Sequence, residues 1–217
     1  MPLGQAAVPA DPLQAQGFRT QRAELPEDLW QPLYDRVNYP QAGTTQLSFF
    51  STPMGQSATL ITGVATAASK VKDYRDTNMQ NANVVPTKLF KFVGISIAFI
   101  NQLPGDPDNA ADRDRVRNNA YLKFRIVDKD ILYIPLVCIP EVNPLVVGAT
   151  TATATTILGS AGGGGQNVPM YKLPIPVTLN PYENFSVDII LSAAVALKSS
   201  YSMDIYMILQ GFMRRPT

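Results

Sequence analysis

The densest set of side chains able to do chemistry is the acidic run at residues 105–115, GDPDNAADRDR, which carries Asp106, Asp108, Asp112 and Asp114. Several oxygens on one short segment are what a hard cation such as calcium takes as ligands. The spacing departs from the EF-hand order, and Arg113 and Arg115 sit among the acids. The stretch therefore reads as a solvated charged loop rather than a calcium site. The lone cysteine, Cys138, lies in the apolar run ILYIPLVCIP. A catalytic thiolate needs a base and an electropositive setting. The chain has no histidine, so Cys138 is expected to be a small buried hydrophobe. The same lack removes Ser-His-Asp and Cys-His arrangements and histidine-based metal sites. Carboxylate catalysis stays open in principle. The glycines of SAGGGGQN have no Gly-Lys-Ser/Thr ending and no following helix, so they read as a flexible linker and not as a phosphate cradle. Arg214 and Arg215 read as solvated. No catalytic, cofactor-binding or metal-ligating residue is assigned, no cofactor is expected, and the expected function is not enzymatic.

Composition points the same way. Charged residues are 16% of the chain, against roughly 25% in an ordinary soluble domain. Hydrophobic residues are 46%. So few charges leave little to cover a free surface, which hints at a surface covered by other proteins. The net charge of +1 gives no overall field to attract nucleic acid. The single cysteine permits no disulfide framework. The first residues, MPLGQAAVPADPLQAQGFRTQ, lack a basic region followed by an apolar core, so they do not read as a signal peptide. Apolar runs such as FVGISIAFI are too short for a bilayer span of about 20 residues.

The elements that would position any site are strands. In NPYENFSVDIILS, residues 180–192, Phe185, Val187, Ile189 and Leu191 fall on one side and polar residues mostly on the other, the period of a strand with one buried face. Residues 45–50 form a first strand. In KLFKFVGISIAFINQL, Val93, Ile95, Ile97 and Phe99 share one face, and the small Gly94, Ser96 and Ala98 share the other. Leu122, Phe124 and Ile126 alternate with Lys123 and Arg125, and a reversal at Asp128, Lys129 and Asp130 makes a hairpin. Residues 131–139 are apolar on both faces, as in a central covered strand. TTATATTILGSAGGGGQN reads as a low-complexity mobile loop. LPIPVTL is a short strand, and Met203, Ile205, Met207 and Leu209 of the last strand face in, with Ser202, Asp204 and Gln210 facing out. Seven or eight strands with almost no helical period indicate an antiparallel two-sheet sandwich or a barrel.

Residues 1–43 read as an extended proline-rich arm, with Pro2, Pro9, Pro12, Pro26, Pro32 and Pro40; residues 44–217 form the β domain. Within the arm, PEDLWQPLYDRV reads as one or two helical turns. Its Arg19, Arg22 and Arg36 are outnumbered by Asp11, Glu24, Glu27, Asp28 and Asp35, which favours a protein partner over nucleic acid.

Three stretches resemble the jelly-roll major capsid proteins of tailless icosahedral bacterial viruses. They are TQLSFFSTPMG with DTNMQNANVVPTKLFKFVGISIAF, then PIPVTLNPYENFSVDIIL, and the closing MDIYMILQGFMRRPT. The resemblance implies a single jelly roll and a virion protein, most simply the major capsid protein, that assembles with copies of itself into an icosahedral shell in the host cytoplasm. Other capsid proteins are further partners, and a lipid layer or genome often lies beneath. No small-molecule substrate is implied. The other reading is a β-sandwich receptor- or carbohydrate-binding module of a viral fibre or adhesin.

Overall fold

A computed structural model describes residues 27–62, 67–85, 88–101, 108–143, 145–147, 157–160 and 169–215. The elements in chain order are β1 (Glu27–Trp30), β2 (Leu33–Tyr39), β3 (Gln46–Phe49), β4 (Ser57–Leu60), β5 (Ala68–Val71), β6 (Leu89–Asn101), α1 (Asp108–Asn119), β7 (Ala120–Ile126), β8 (Lys129–Pro135), β9 (Leu145–Val147), β10 (Ile157–Ser160), β11 (Tyr171–Leu179), β12 (Phe185–Leu191) and β13 (Met203–Arg215). They form two main antiparallel sheets. The first runs β1-β13-β6-β11, with β2 also paired to β13; the second runs β3-β12-β7-β8. Two small hairpins, β4–β5 and β9–β10, stand apart.

The inner faces of both sheets meet in one core, so the chain is an all-β, sandwich-like fold. A chain of rings crosses it. Phe92 on the first sheet lies 5.2 Å from Phe124 on the second, Phe124 lies 6.3 Å from Phe185, and Phe185 lies 5.4 Å from Phe50. Tilted pairs at such separations each add roughly 0.5–1.5 kcal/mol beyond their buried area. The alternation at the start of β12 is realised: Phe185, Val187, Ile189 and Leu191 are buried and the residues between them are not. Ile95, Ile97, Phe99, Leu122, Phe124, Ile205, Met207 and Leu209 are also core.

The sequence expectations need several corrections. Val93 is only half-buried, because the β6–β13 register shifts between Gln210 and Gly211. That bulge turns Phe90 and Phe92, both fully buried, into the core instead. Ile126 is half-buried at the hairpin end. The helical turns expected in PEDLWQPLYDRV are strands: β1 pairs with the end of β13 and β2 with its beginning. Leu33 and Tyr39 belong to the core, so β2 is built into the sheet, inside the segment read as an arm; residues 1–26 lie outside the described residues. Of the stretch read as a charged loop, residues 108–115 belong to helix α1. Residues 131–139 do not form a covered central strand. β8 is the edge of the second sheet, and Ile131, Tyr133 and Val137 are exposed. Cys138 is exposed too, not buried. Of the low-complexity stretch, 157–160 pair as a strand with 145–147; most of SAGGGGQN lies outside the described residues.

Candidate functional site

Of the charged residues singled out in the sequence, Asp112, Arg113 and Arg115 join a structural hub on helix α1, while Asp114 is exposed. Helix α1 opens with Asp108 and has Arg117 in its last turn, matching the helix dipole at both ends. Its face carries Asp112, which accepts the backbone N–H of Lys198 at 2.8 Å and of Ser199 at 2.9 Å. Arg113 is buried, pairs with Glu141, and donates to the Phe99 and Asn143 carbonyls at 3.1 Å each. Arg115 donates to Ala196 O, and Arg117 to Val137 O and Ile139 O. The helix thus fastens the turn after β8 and the segment before β13 to the end of β6. Burial pushes the Glu141 carboxyl up, against the pull of Arg113 and Arg117, and pushes the Arg113 guanidinium down. Asp112 spends both oxygens on backbone donors. Asp106 lies outside the described residues. Among the described residues no group of three or more Cys, Asp or Glu side chains is placed to hold a metal ion.

A second ionic cluster was not found in the sequence. Residues 51–62 and 67–85 leave β3, form the β4–β5 hairpin, and cover part of the first sheet. Under this cover Arg36 on β2 donates to Asp204 Oδ2 at 2.6 Å, Asp76 Oδ1 at 3.1 Å and Ile61 O at 2.9 Å. Asp204 also accepts from Ile61 N at 2.9 Å and Asn38 Nδ2 at 2.6 Å. Asp76 takes a further bond from Lys70. Asp35, the neighbour of Arg36 and therefore on the opposite face of the strand, pairs with Lys72 Nζ at 2.6 Å and accepts Phe50 N at 2.7 Å. Phe50 holds φ at 62°, a strained value for a bulky residue. The Asp35 bond and full burial of the ring fix it there. Burial pushes the Asp35 carboxyl up, opposed by Lys72. Burial also works against the Arg36 charge, but Asp204 and Asp76 outweigh it and hold its pKa above the ordinary guanidinium value. Charges this deep persist because they are paired. The signal in sequence was the adjacent Asp35-Arg36 inside a strand: one of the two must lie on each face, and both are buried only if both faces are covered.

The surface offers a different kind of site. On the outward face of the second sheet Tyr121 and Tyr133 have ring centroids 6.1 Å apart, and Lys123 Nζ lies 5.5 Å from the Tyr133 centroid. Asp130 accepts from Tyr133, Arg125 and Lys123. The Tyr133 hydroxyl and the Arg125 guanidinium hold its carboxyl down to about 2. At one open side of the sandwich Ile131 from the second sheet and Ile175 from the first are exposed. At the far edge of the first sheet Trp30 is exposed against Phe212. Arg214 lies beside it in a bidentate pair with Asp28 at 2.8 and 3.0 Å, so it is not a free solvated charge. No helix among the described residues is long and apolar enough to cross a membrane. No family model matches the chain, and no curated protein matches it.

Proposed function

We propose that this chain is a viral coat protein, a single jelly roll that assembles with copies of itself into an icosahedral shell of a bacterial virus, most simply as the major capsid protein. The observation that carries the reading is the strand order. With β1 and β2 counted as one interrupted strand and the two small hairpins set aside, the first sheet takes the first, eighth, third and sixth long strands. The second sheet takes the second, seventh, fourth and fifth. This interleaving, in which strands alternate between the two sheets except at the β7–β8 hairpin and the last inserts beside the first, supports reading the fold as the double Greek key of a jelly roll. Jelly rolls also serve lectins and cupins, so fold alone does not set function. Three further features support a shell: the capsid-like stretches in the sequence, the low charge content, and apolar side chains left exposed on both edges of the sandwich. Exposed apolar surface of that kind marks contact with another protein. The role is structural and needs no cofactor. Copies of this chain are the main partner.

The Tyr121–Tyr133 pair favours the second reading, a carbohydrate-binding module, since sugars stack on aromatic platforms. The carboxylate beside the platform is already taken by Tyr133, Arg125 and Lys123, which leaves few free groups to bind sugar hydroxyls. Electron microscopy of the purified full-length chain separates the readings. Closed particles of uniform size support the shell; a monomer that binds glycans and forms no particles supports the module.

A further inference from the structure

Among the described residues β11 is the edge of the first sheet and β8 the edge of the second, and both line one cleft. The cleft, of about 280 Å³, reaches the core at Phe92 and Phe124 and is walled by Leu132, Leu173, Ile175 and Val177. Ile175 on its rim is 78% exposed. Every lining side chain is apolar, so the cleft cannot orient a polar ligand. Strand addition at β11 is disfavoured as well. Pro174 and Pro176 have no N–H to give, and the β11 ladder is broken between Lys172 and Val177. What fits is an apolar side chain.

The chain presents such side chains at the opposite edge of the same sheet. Trp30 on β1 is 51% exposed and meets Phe212, its register partner on β13, edge to face at 4.9 Å. The sheet order β1-β13-β6-β11 puts this aromatic knob on one edge and the cleft on the other. Complementary patches on opposite edges make a head-to-tail contact, which closes into a ring when the rotation per copy allows. A self-complementary two-fold contact would need knob and cleft on one patch.

We propose that Trp30 and Phe212 of one copy seat in the β8–β11 cleft of the next, and that this contact builds the rings of the shell. The proposal rests on the self-assembly reading and names the surface that does it. Trp30 is the only tryptophan in the chain, so its fluorescence reports the contact directly.

The test uses the full chain with two variants, Ile175→Asp in the cleft and Trp30→Ser in the knob. Both positions are more than half exposed, so the subunit keeps its fold, checked by circular dichroism. Mass is followed by light scattering, and emission wavelength by fluorescence, across a dilution series. The expected result is a rise in mass with a blue shift of Trp30 in the unaltered chain. Association of each variant alone falls by ~30-fold or more, the loss typical of truncating a hot spot. Mixed in equal amounts, the variants form a one-to-one dimer and nothing larger, since only one intact knob and one intact cleft remain to meet. The dimer restores the blue shift. If Ile175→Asp associates like the unaltered chain, the contact lies elsewhere and the proposal fails while self-assembly stands. If the mixture stays monomeric while the unaltered chain assembles, the head-to-tail geometry fails. Uptake of a fluorescent fatty acid by a monomeric unaltered chain, lost in Ile175→Asp, makes the cleft a lipid site and overturns the proposal. An unaltered chain that is monomeric throughout removes the self-assembly reading itself.

Discussion

Replacing Arg36 by Met is expected to loosen the cover formed by residues 51–62 and 67–85 and to destabilise the whole subunit. Arg36 is 9% exposed, and the Asp204 and Asp76 carboxylates it joins are fully buried. Methionine keeps much of the length and packing but leaves two buried acids without their shared cation. Breaking a buried pair from one side costs about 3–5 kcal/mol. The lower end applies, because Asp204 keeps Asn38 and Ile61 N, and Asp76 keeps Lys70. A loss of ~3 kcal/mol is a large part of a total stability of roughly 5–15 kcal/mol. With a urea slope of about 2 kcal/mol per molar, the midpoint falls by ~1.5 M. The assay is urea unfolding of dilute, unassembled subunit followed by fluorescence, with amide exchange as a local probe. The Ile61 amide, held by Asp204 Oδ2, should exchange faster. Adding Asp204→Asn should recover part of the loss, because the residues share one network. Arg125→Met, which breaks an exposed, solvent-screened pair with Asp130, should leave the midpoint almost unchanged. A midpoint for Arg36→Met within ~0.3 M of that control would refute the view that this cluster holds the cover down.

Three other outcomes are expected. Phe185→Ala should cost about 3–5 kcal/mol in the same titration, the range for emptying a large aromatic site; Phe185 is 1% exposed and meets both Phe50 and Phe124. Gly211→Ala should cost roughly 1–3 kcal/mol, because an added Cβ would lie 2.4 Å from Lys91 O and 2.7 Å from the Phe90 ring; a neutral result would mean that the β6–β13 bulge can open. Asp130 should titrate by NMR near 2 rather than 3.8. Its folded-state pKa is depressed, so its contribution to stability is present above the unfolded value of about 3.9 and is lost as pH falls through about 2. Tyr133→Phe should move that titration upward, and an unchanged value would remove the Tyr133 hydroxyl as the cause.

Elements that bury one face and wet the other were legible in the sequence. β12 and β7 follow a period of two because one face meets the core; β13 shows it on its inward side, but Asp204 and Gln210, expected to face out, are buried as well because the other face is covered at those positions. Where the rule breaks, a second physical demand is at work. α1 carries almost no apolar stripe because it binds through Asp112, Arg113 and Arg117 to backbone groups of the turns around it, so hydrophobic periodicity could not reveal it. β2 was hidden because Asp35 and Arg36 look like surface residues until both faces of the strand are covered. The stretch 131–139 misled in the opposite direction: its continuous apolar run suggested a buried centre, yet Ile131 and Tyr133 are exposed on the edge strand β8 and Val137 is exposed in the turn after it. Apolar composition reports that a surface is to be covered, and does not say whether its own chain or another does so. The shift that displaces Val93 depends on the partner strand at Gln210 and Gly211, information no single strand contains. The exposed knob and cleft were equally invisible, since each is made by residues from separate strands.

The central claim is that copies of this chain bind one another to build a shell, and the mass of the particles they form tests it most directly. Full-length protein, purified without denaturant, is examined by light scattering over a wide concentration range, with electron microscopy of the largest fraction. The account predicts a mass that rises from the 23.6 kDa of one chain to closed particles of uniform diameter. A mass that stays at one chain at every concentration, with no particles in the images, would contradict it.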